Sequence, residues 1–205
     1  MTSAAPADHL VVLLHGLGRT RHSLLLMDRS LTRAGFTTLR IGYSSMRQPI
    51  EQHAAAVAKR LDEIPTPNRL SFVTHSLGGL VVRQLCTLEA PWRSVMSRIV
   101  MLAPPNHGAS LASALDRGGV LRGVMGPSYG QIADGFAETL PVPDVPFAIF
   151  AGDAPFVPGD GLLTVEETRL EGAAEHHVVP VIHTFIMNHP EVIRGTTAFL
   201  LSAPD

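Results

Sequence analysis

Five apolar residues in succession, Leu10-Val11-Val12-Leu13-Leu14, offer no polar side chain to water. Strand side chains alternate between two faces, so a strand of this composition must be covered on both sides. Similar runs return at Leu70-Ser71-Phe72-Val73, Arg98-Ile99-Val100-Met101-Leu102, Val145 to Ala151 and Val178-Val179-Pro180-Val181-Ile182, and Phe36 to Ile41 reads as a further strand. Between them the apolar period changes to that of a helix. Leu24, Met27, Leu31 and Ala34 share one face, opened by Thr20 and stopped by Gly35. Ile50, Ala54, Val57, Leu61 and Ile64 mark a second helix, closed by Pro65 and Pro67. Leu77, Leu80, Val81, Leu85 and Leu88 mark a third, and Val192, Ile193, Thr196, Phe199 and Leu200 a last one, with Pro190 in its first turn. Strands alternating with helices predict a doubly wound, mostly parallel sheet of about six strands with helices on both faces. Pro180 suits an edge strand or a strand's end. The chain reads as a single α/β domain over residues 1–205, in which about 109–143, rich in Gly and broken by Pro127, Pro141 and Pro143, forms short helices and loops over the top of the sheet.

At 205 residues, 45% apolar and 17% charged, the chain can bury a core and is not disordered. A formal charge of −2 and 5% aromatics carry no footprint for nucleic acid. Cys86 is the only cysteine, so no internal disulfide forms, and its place on the third helix suits a buried small hydrophobe. Residues 1–8 lack a basic start and an apolar core, and no run approaches transmembrane length. The expectation is a soluble, cytoplasmic protein without membrane insertion; the sequence is silent on oligomeric state.

The period switch falls on one serine. Leu70 to His75 is strand-like, Leu77 onward is helical, and Ser76 stands between them. A serine there occupies a sharp strand-to-helix turn with its hydroxyl above the sheet edge and its φ positive. Gly78 and Gly79 leave room for helix and strand to approach. The motif is Thr74-x-Ser76-x-Gly78, with threonine where a glycine is commoner.

Parallel α/β sheets bind ligands outside the carboxyl ends of their strands. The residues there are His15-Gly16-Leu17-Gly18, Ser76, Pro105-Asn106-His107, Asp153 or Asp160, and His183. A serine hydroxyl needs a base to remove its proton during attack, and a histidine needs a carboxylate to hold its tautomer. Serine, acid and histidine follow successive strands in the order such a triad takes on this sheet. Asp153 directly follows a strand and Asp160 lies further along the same loop, so spacing leaves the acid open. Two backbone donors, Leu17 N–H and Leu77 N–H, are placed to receive an oxyanion.

His15-Gly16-Leu17-Gly18, Thr74-His75-Ser76-Leu77-Gly78-Gly79, Asp160-Gly161-Leu162-Leu163-Thr164-Val165 and His183-Thr184-Phe185-Ile186-Met187 together resemble the α/β-hydrolase superfamily, most of all its small bacterial esterase and lipase-like members. The resemblance runs from about Leu10 to Leu201. It implies a minimal α/β-hydrolase fold with a small cap region at about 109–143, and a serine hydrolase acting on small-molecule carboxylic esters without a cofactor. It carries the catalytic roles onto Ser76, Asp160 and His183. The departures are Thr74, the short chain, the absence of the two strands that open larger hydrolases, and the absence of a full-sized cap.

Other histidines are expected in lesser roles. His15, His75 and His107 are candidates to support or touch the substrate, and His189 a helix cap. His176 and His177 are adjacent on a strand, so they point apart and do not make a metal site. The reading is an esterase for short to medium acyl chains, handled in solution without a large lid. Acyl transfer or thioester hydrolysis on the same triad, and a non-catalytic binding module on this scaffold, are the alternatives.

Overall fold

The computed structural model describes residues 8–116 and 120–202. In chain order its elements are β1 (His9–Leu14), α1 (Leu25–Arg33), β2 (Thr37–Ile41), α2 (Ile50–Asp62), β3 (Arg69–His75), α3 (Leu77–Leu85), β4 (Met96–Leu102), α4 (Ser110–Leu115), α5 (Val120–Met125), α6 (Pro127–Ala133), β5 (Phe147–Gly152), α7 (Val165–Thr168), β6 (Glu175–Val179) and α8 (Pro190–Leu201). The strands form one sheet, ordered β2-β1-β3-β4-β5-β6, and all five pairings are parallel.

Alternation along the strands builds two cores. Leu10, Val12, Leu14, Phe72, Ile99 and Ile149 meet the apolar faces of α2 and α3 on one side. Val11, Leu13, Val73, Val100, Ala148 and Phe150 meet α1 and α8 on the other. Each large side chain so buried contributes about 1.5–3 kcal/mol relative to exposure. One polar pair interrupts the apolar run: His9 Nε2 lies 2.8 Å from Ser71 Oγ across β1 and β3. Burial, with Arg69 and Arg98 nearby, lowers the His9 pKa to about 4, so the ring is neutral. Burial raises the Cys86 thiol to about 11, which keeps it protonated.

The first helix begins later than its periodicity suggests. Thr20 caps a 3-10 turn, Arg21–Leu24, and the α-helix proper starts at Leu25. The last strand is displaced: its polar start, Glu175-His176-His177, pairs with β5, and pairing stops at Val179 rather than running on to Ile182. Pro180 has no N–H to continue the ladder, and the strand stands at the sheet's edge. His176 meets Thr168 at 3.1 Å, whereas His177 stacks on Phe150 and pairs with Glu175, so the two rings face opposite sides. Among the described residues no helix is long and apolar enough to cross a membrane.

Gly78 shows how tightly α3 is seated. A Cβ there would lie 2.7 Å from the Leu14 carbonyl oxygen, which is backbone and cannot rotate away. Gly78→Ala is therefore expected to destabilise the fold by roughly 1–3 kcal/mol, as overpacking does. Urea unfolding measures this, and an unchanged midpoint would mean that α3 and β1 separate without cost.

Candidate active site

Ser76 joins β3 to α3 in a conformation that side chains seldom adopt, φ 51° and ψ −120°. Such backbone costs of order 1–3 kcal/mol and persists only where its surroundings enforce it. Here Ser76 N–H donates to the Leu102 carbonyl (2.8 Å), and the Ser76 carbonyl accepts from Gly79 N–H (2.8 Å). Thr74, the larger residue in the motif's first place, is buried and donates its hydroxyl to the Val100 carbonyl at 3.3 Å, so the neighbouring strand absorbs its polarity.

The loop after β1 lies against this turn. A Cβ on Gly16 would come within 2.8 Å of His75 Nδ1 and 3.1 Å of Ser76 Cβ, which only glycine avoids. His15 is buried beneath the loop. Its Nδ1 donates to the Gly16 carbonyl (2.9 Å), its Nε2 accepts from Tyr43 N–H (3.3 Å), and its ring stacks on Tyr43 at 4.3 Å. The Tyr43 hydroxyl in turn donates to the His15 carbonyl. Burial lowers the His15 pKa and raises that of Tyr43, so both stay neutral. Gly18 N–H donates to Ser45 Oγ (3.1 Å). Among the described residues, neither Leu17 N–H nor Leu77 N–H has a partner.

The two candidate carboxylates of the loop after β5 stand in different surroundings. Asp153 follows β5 directly and is exposed. The loop then doubles back through Gly159 and Gly161, both at positive φ, and carries Asp160 inward to 2% exposure. Asp160 Oδ1 accepts from Leu162 N–H (2.9 Å) and Leu163 N–H (2.7 Å). Its Oδ2 accepts from His183 Nδ1 at 2.7 Å, and His183 N–H donates to the Asp160 carbonyl at 2.9 Å. Gly152 makes this fit possible, since a Cβ there would stand 2.8 Å from Asp160 Cβ. With Nδ1–H engaged by the carboxylate, His183 Nε2 is left as an acceptor.

His75 joins the two halves. Its Nε2–H donates to the His183 carbonyl (3.1 Å), the two rings lie 4.9 Å apart, and Nδ1 is buried without a partner. Burial and the neighbouring His183 hold its pKa well below the ordinary histidine value. A neutral, fixed His75 thus braces the His183 loop from beside the serine.

Ser76, His75 and His183 open into one cavity of about 500 Å3, the size of a small-molecule site. Among the described residues no hydrogen bond joins Ser76 to His183, and such contacts are often long in an unliganded site. Leu17, Met46, Met125, Tyr129, Ile132 and Leu163 give the cavity mostly apolar walls. α6 is fixed as one wall by His53 Nε2–H to Ser128 Oγ (3.0 Å), Ser128 Oγ to the Gln48 carbonyl (2.8 Å) and Ile50 N–H to Gln131 Oε1 (2.7 Å). His107 is exposed and, like His15, does not line the cavity; His189 stands at the start of α8 without a side-chain capping bond. Arg19, Tyr129 and Tyr43 escaped the reading of the sequence: Arg19 and Tyr43 lie in loops and Tyr129 on the short α6, so no period marks them, and only the tertiary fold brings Arg19 and Tyr129 to the cavity and Tyr43 onto His15.

The model of the family described as Domain of unknown function (DUF7379) matches residues 6–121. No curated protein matches the sequence. Among solved structures, the mature form of a lipase from Bacillus licheniformis is similar over 98% of this chain and 95% of its own, at 18% identity and a TM-score of 0.79. A metagenomic carboxyl esterase is similar over 97% of this chain and 76% of its own (16%, 0.74), and an esterase from Thermogutta terrifontis over 94% and 89% (14%, 0.66). These likenesses identify the fold as that of a minimal α/β hydrolase.

Proposed function

The chain belongs to the family DUF7379, and we propose that it is a serine hydrolase cleaving carboxylic esters through an acyl-enzyme on Ser76. The observation that carries this reading is the 2.7 Å pair of Asp160 and His183, whose ring shares a cavity with a serine held at positive φ. In the proposed reaction His183 Nε2 takes the Ser76 proton as Oγ bonds to the ester carbonyl carbon. The oxyanion is received by Leu17 N–H and Leu77 N–H. His183 then returns the proton to the leaving alcohol, and in the second half it activates the water that releases the acid. Asp160 holds the imidazole tautomer and stabilises the imidazolium. The fold supports this reading because structures similar to it include a lipase and two esterases. We read residues 1–205 as one domain in which 109–143 serves as a small cap, and the size and apolar walls of the cavity favour short to medium acyl chains.

A fluorophosphonate tests the reading without knowledge of the natural ester. Attack by Ser76 Oγ on phosphorus expels fluoride and leaves a stable adduct, which mass spectrometry locates. A single adduct on Ser76, with hydrolysis of p-nitrophenyl hexanoate faster than that of the hexadecanoate, is expected. No adduct on folded protein would favour a binding module. Acyl transfer to added alcohols or preference for thioesters would retain the nucleophile but reassign the reaction.

A further inference from the structure

Among the described residues the cavity holding Ser76 is lined by one permanently charged side chain, Arg19, which is half-buried. Arg19 also lines two further cavities beside the first, walled in part by Arg21 and His22 on one side and by Arg47 on the other. Among the described residues no aspartate or glutamate lines any of the three. Among the described residues the Arg19 guanidinium has no carboxylate partner, and neither have Arg21 and Arg47. This concentration of positive charge does not follow from composition, since 16 basic against 18 acidic residues leave the chain net negative.

A half-buried guanidinium without a counter-ion is desolvated and unrewarded, and a ligand anion restores the balance. Its planar fork suits carboxylate and phosphate, and a cleft with low-dielectric walls focuses the field of the neighbouring arginines. Met125, Tyr129 and Ile132 help make the Ser76 cavity mostly apolar, and Arg19, which lines it, also lines a neighbouring cavity together with Arg47, Ser44 and Ser45. An aliphatic acyl chain suits the apolar walls, and an anionic group carried by the alcohol portion of the ester suits Arg19.

We propose that Arg19, supported by Arg21 and Arg47, forms an anion subsite, and that the substrate is an ester whose alcohol portion carries a phosphate or carboxylate. This rests on the hydrolase reading of the same cavity. Arg19 acts as a specificity determinant and takes no part in proton transfer.

The test compares phenyl hexanoate with its 4-carboxy and 4-phosphonooxy derivatives, in the native protein and in Arg19→Gln. Taking the ratio of anionic to neutral kcat/KM in each protein cancels differences in leaving-group reactivity. The ratio is expected to be about tenfold higher in the native protein, the scale of one charge-assisted contact, and to fall as salt is raised. A response of the phosphate ester alone identifies a phosphate subsite, and an equal response of both a general anion site. An unchanged ratio in Arg19→Gln overturns the proposal. Calorimetric titration with phenyl phosphate and 4-hydroxybenzoate reads the subsite without turnover. Arg19-dependent binding with no ester hydrolysed would sink the hydrolase reading and keep the subsite; hydrolysis with neither Arg19-dependent selectivity nor Arg19-dependent binding would do the reverse.

Discussion

Replacing His183 with alanine is expected to lower kcat for p-nitrophenyl hexanoate by about 10⁶-fold, the loss seen when the base of a serine triad is deleted alone. The size follows from the proposed role. Without an acceptor at Nε2, Ser76 must attack as an unactivated hydroxyl, and the water that releases the acyl group has no base to take its proton. The variant should still fold. Asp160 Oδ1 keeps both backbone donors, Leu162 N–H and Leu163 N–H, and only Oδ2 loses its partner. One buried acceptor so orphaned costs about 1–3 kcal/mol, which thermal unfolding reads separately from rate. His189→Ala, outside the cavity lining, serves as the contrast and should leave turnover close to native. A loss below tenfold in a folded His183→Ala would remove this residue as the base.

What could be read in the sequence, and what could not, divides along the range of the interactions. β1 and the helices facing it are visible because burial on two faces leaves a continuous apolar run and burial on one face leaves a period. The turn at Ser76 is visible because two periods meet there. The bounds of β6 are not, since three of its five residues are polar and its extent is decided by pairing with β5 rather than by its own composition. Likewise nothing in Asp153-to-Asp160 spacing says that Gly159 and Gly161 fold the second carboxylate inward; two positive-φ glycines and the Asp160 N–H bond to the Leu163 carbonyl (3.0 Å) do so. Tyr43 illustrates the same point at the loop after β1. It stacks on His15 across 28 residues, a contact that depends on β1 and β2 being neighbours in the sheet.

The acid is where the loop geometry has the sharpest consequence. Asp160→Asn is expected to cost about 10⁴-fold in kcat, although it removes one charge and no volume. Two backbone N–H groups, from Leu162 and Leu163, point at Oδ1, so the asparagine amide must seat its oxygen there. Its NH2 then takes the place of Oδ2 and faces His183 Nδ1 from hydrogen-bond distance. Two donors cannot share that position. The imidazole relieves the conflict by moving its proton to Nε2, where it meets Ser76 as a donor and can no longer accept the hydroxyl proton. Fluorophosphonate labelling should slow in parallel with turnover, because both need the same acceptor. Asp153→Asn is the control: Asp153 is exposed, follows β5 directly and bonds to His183 nowhere in the described residues, so neither rate should change. Equal losses in the two variants, or a native rate in Asp160→Asn, would mean that the tautomer of His183 is held by something other than this carboxylate. The brace from His75 to the His183 carbonyl would then be the next contact to remove.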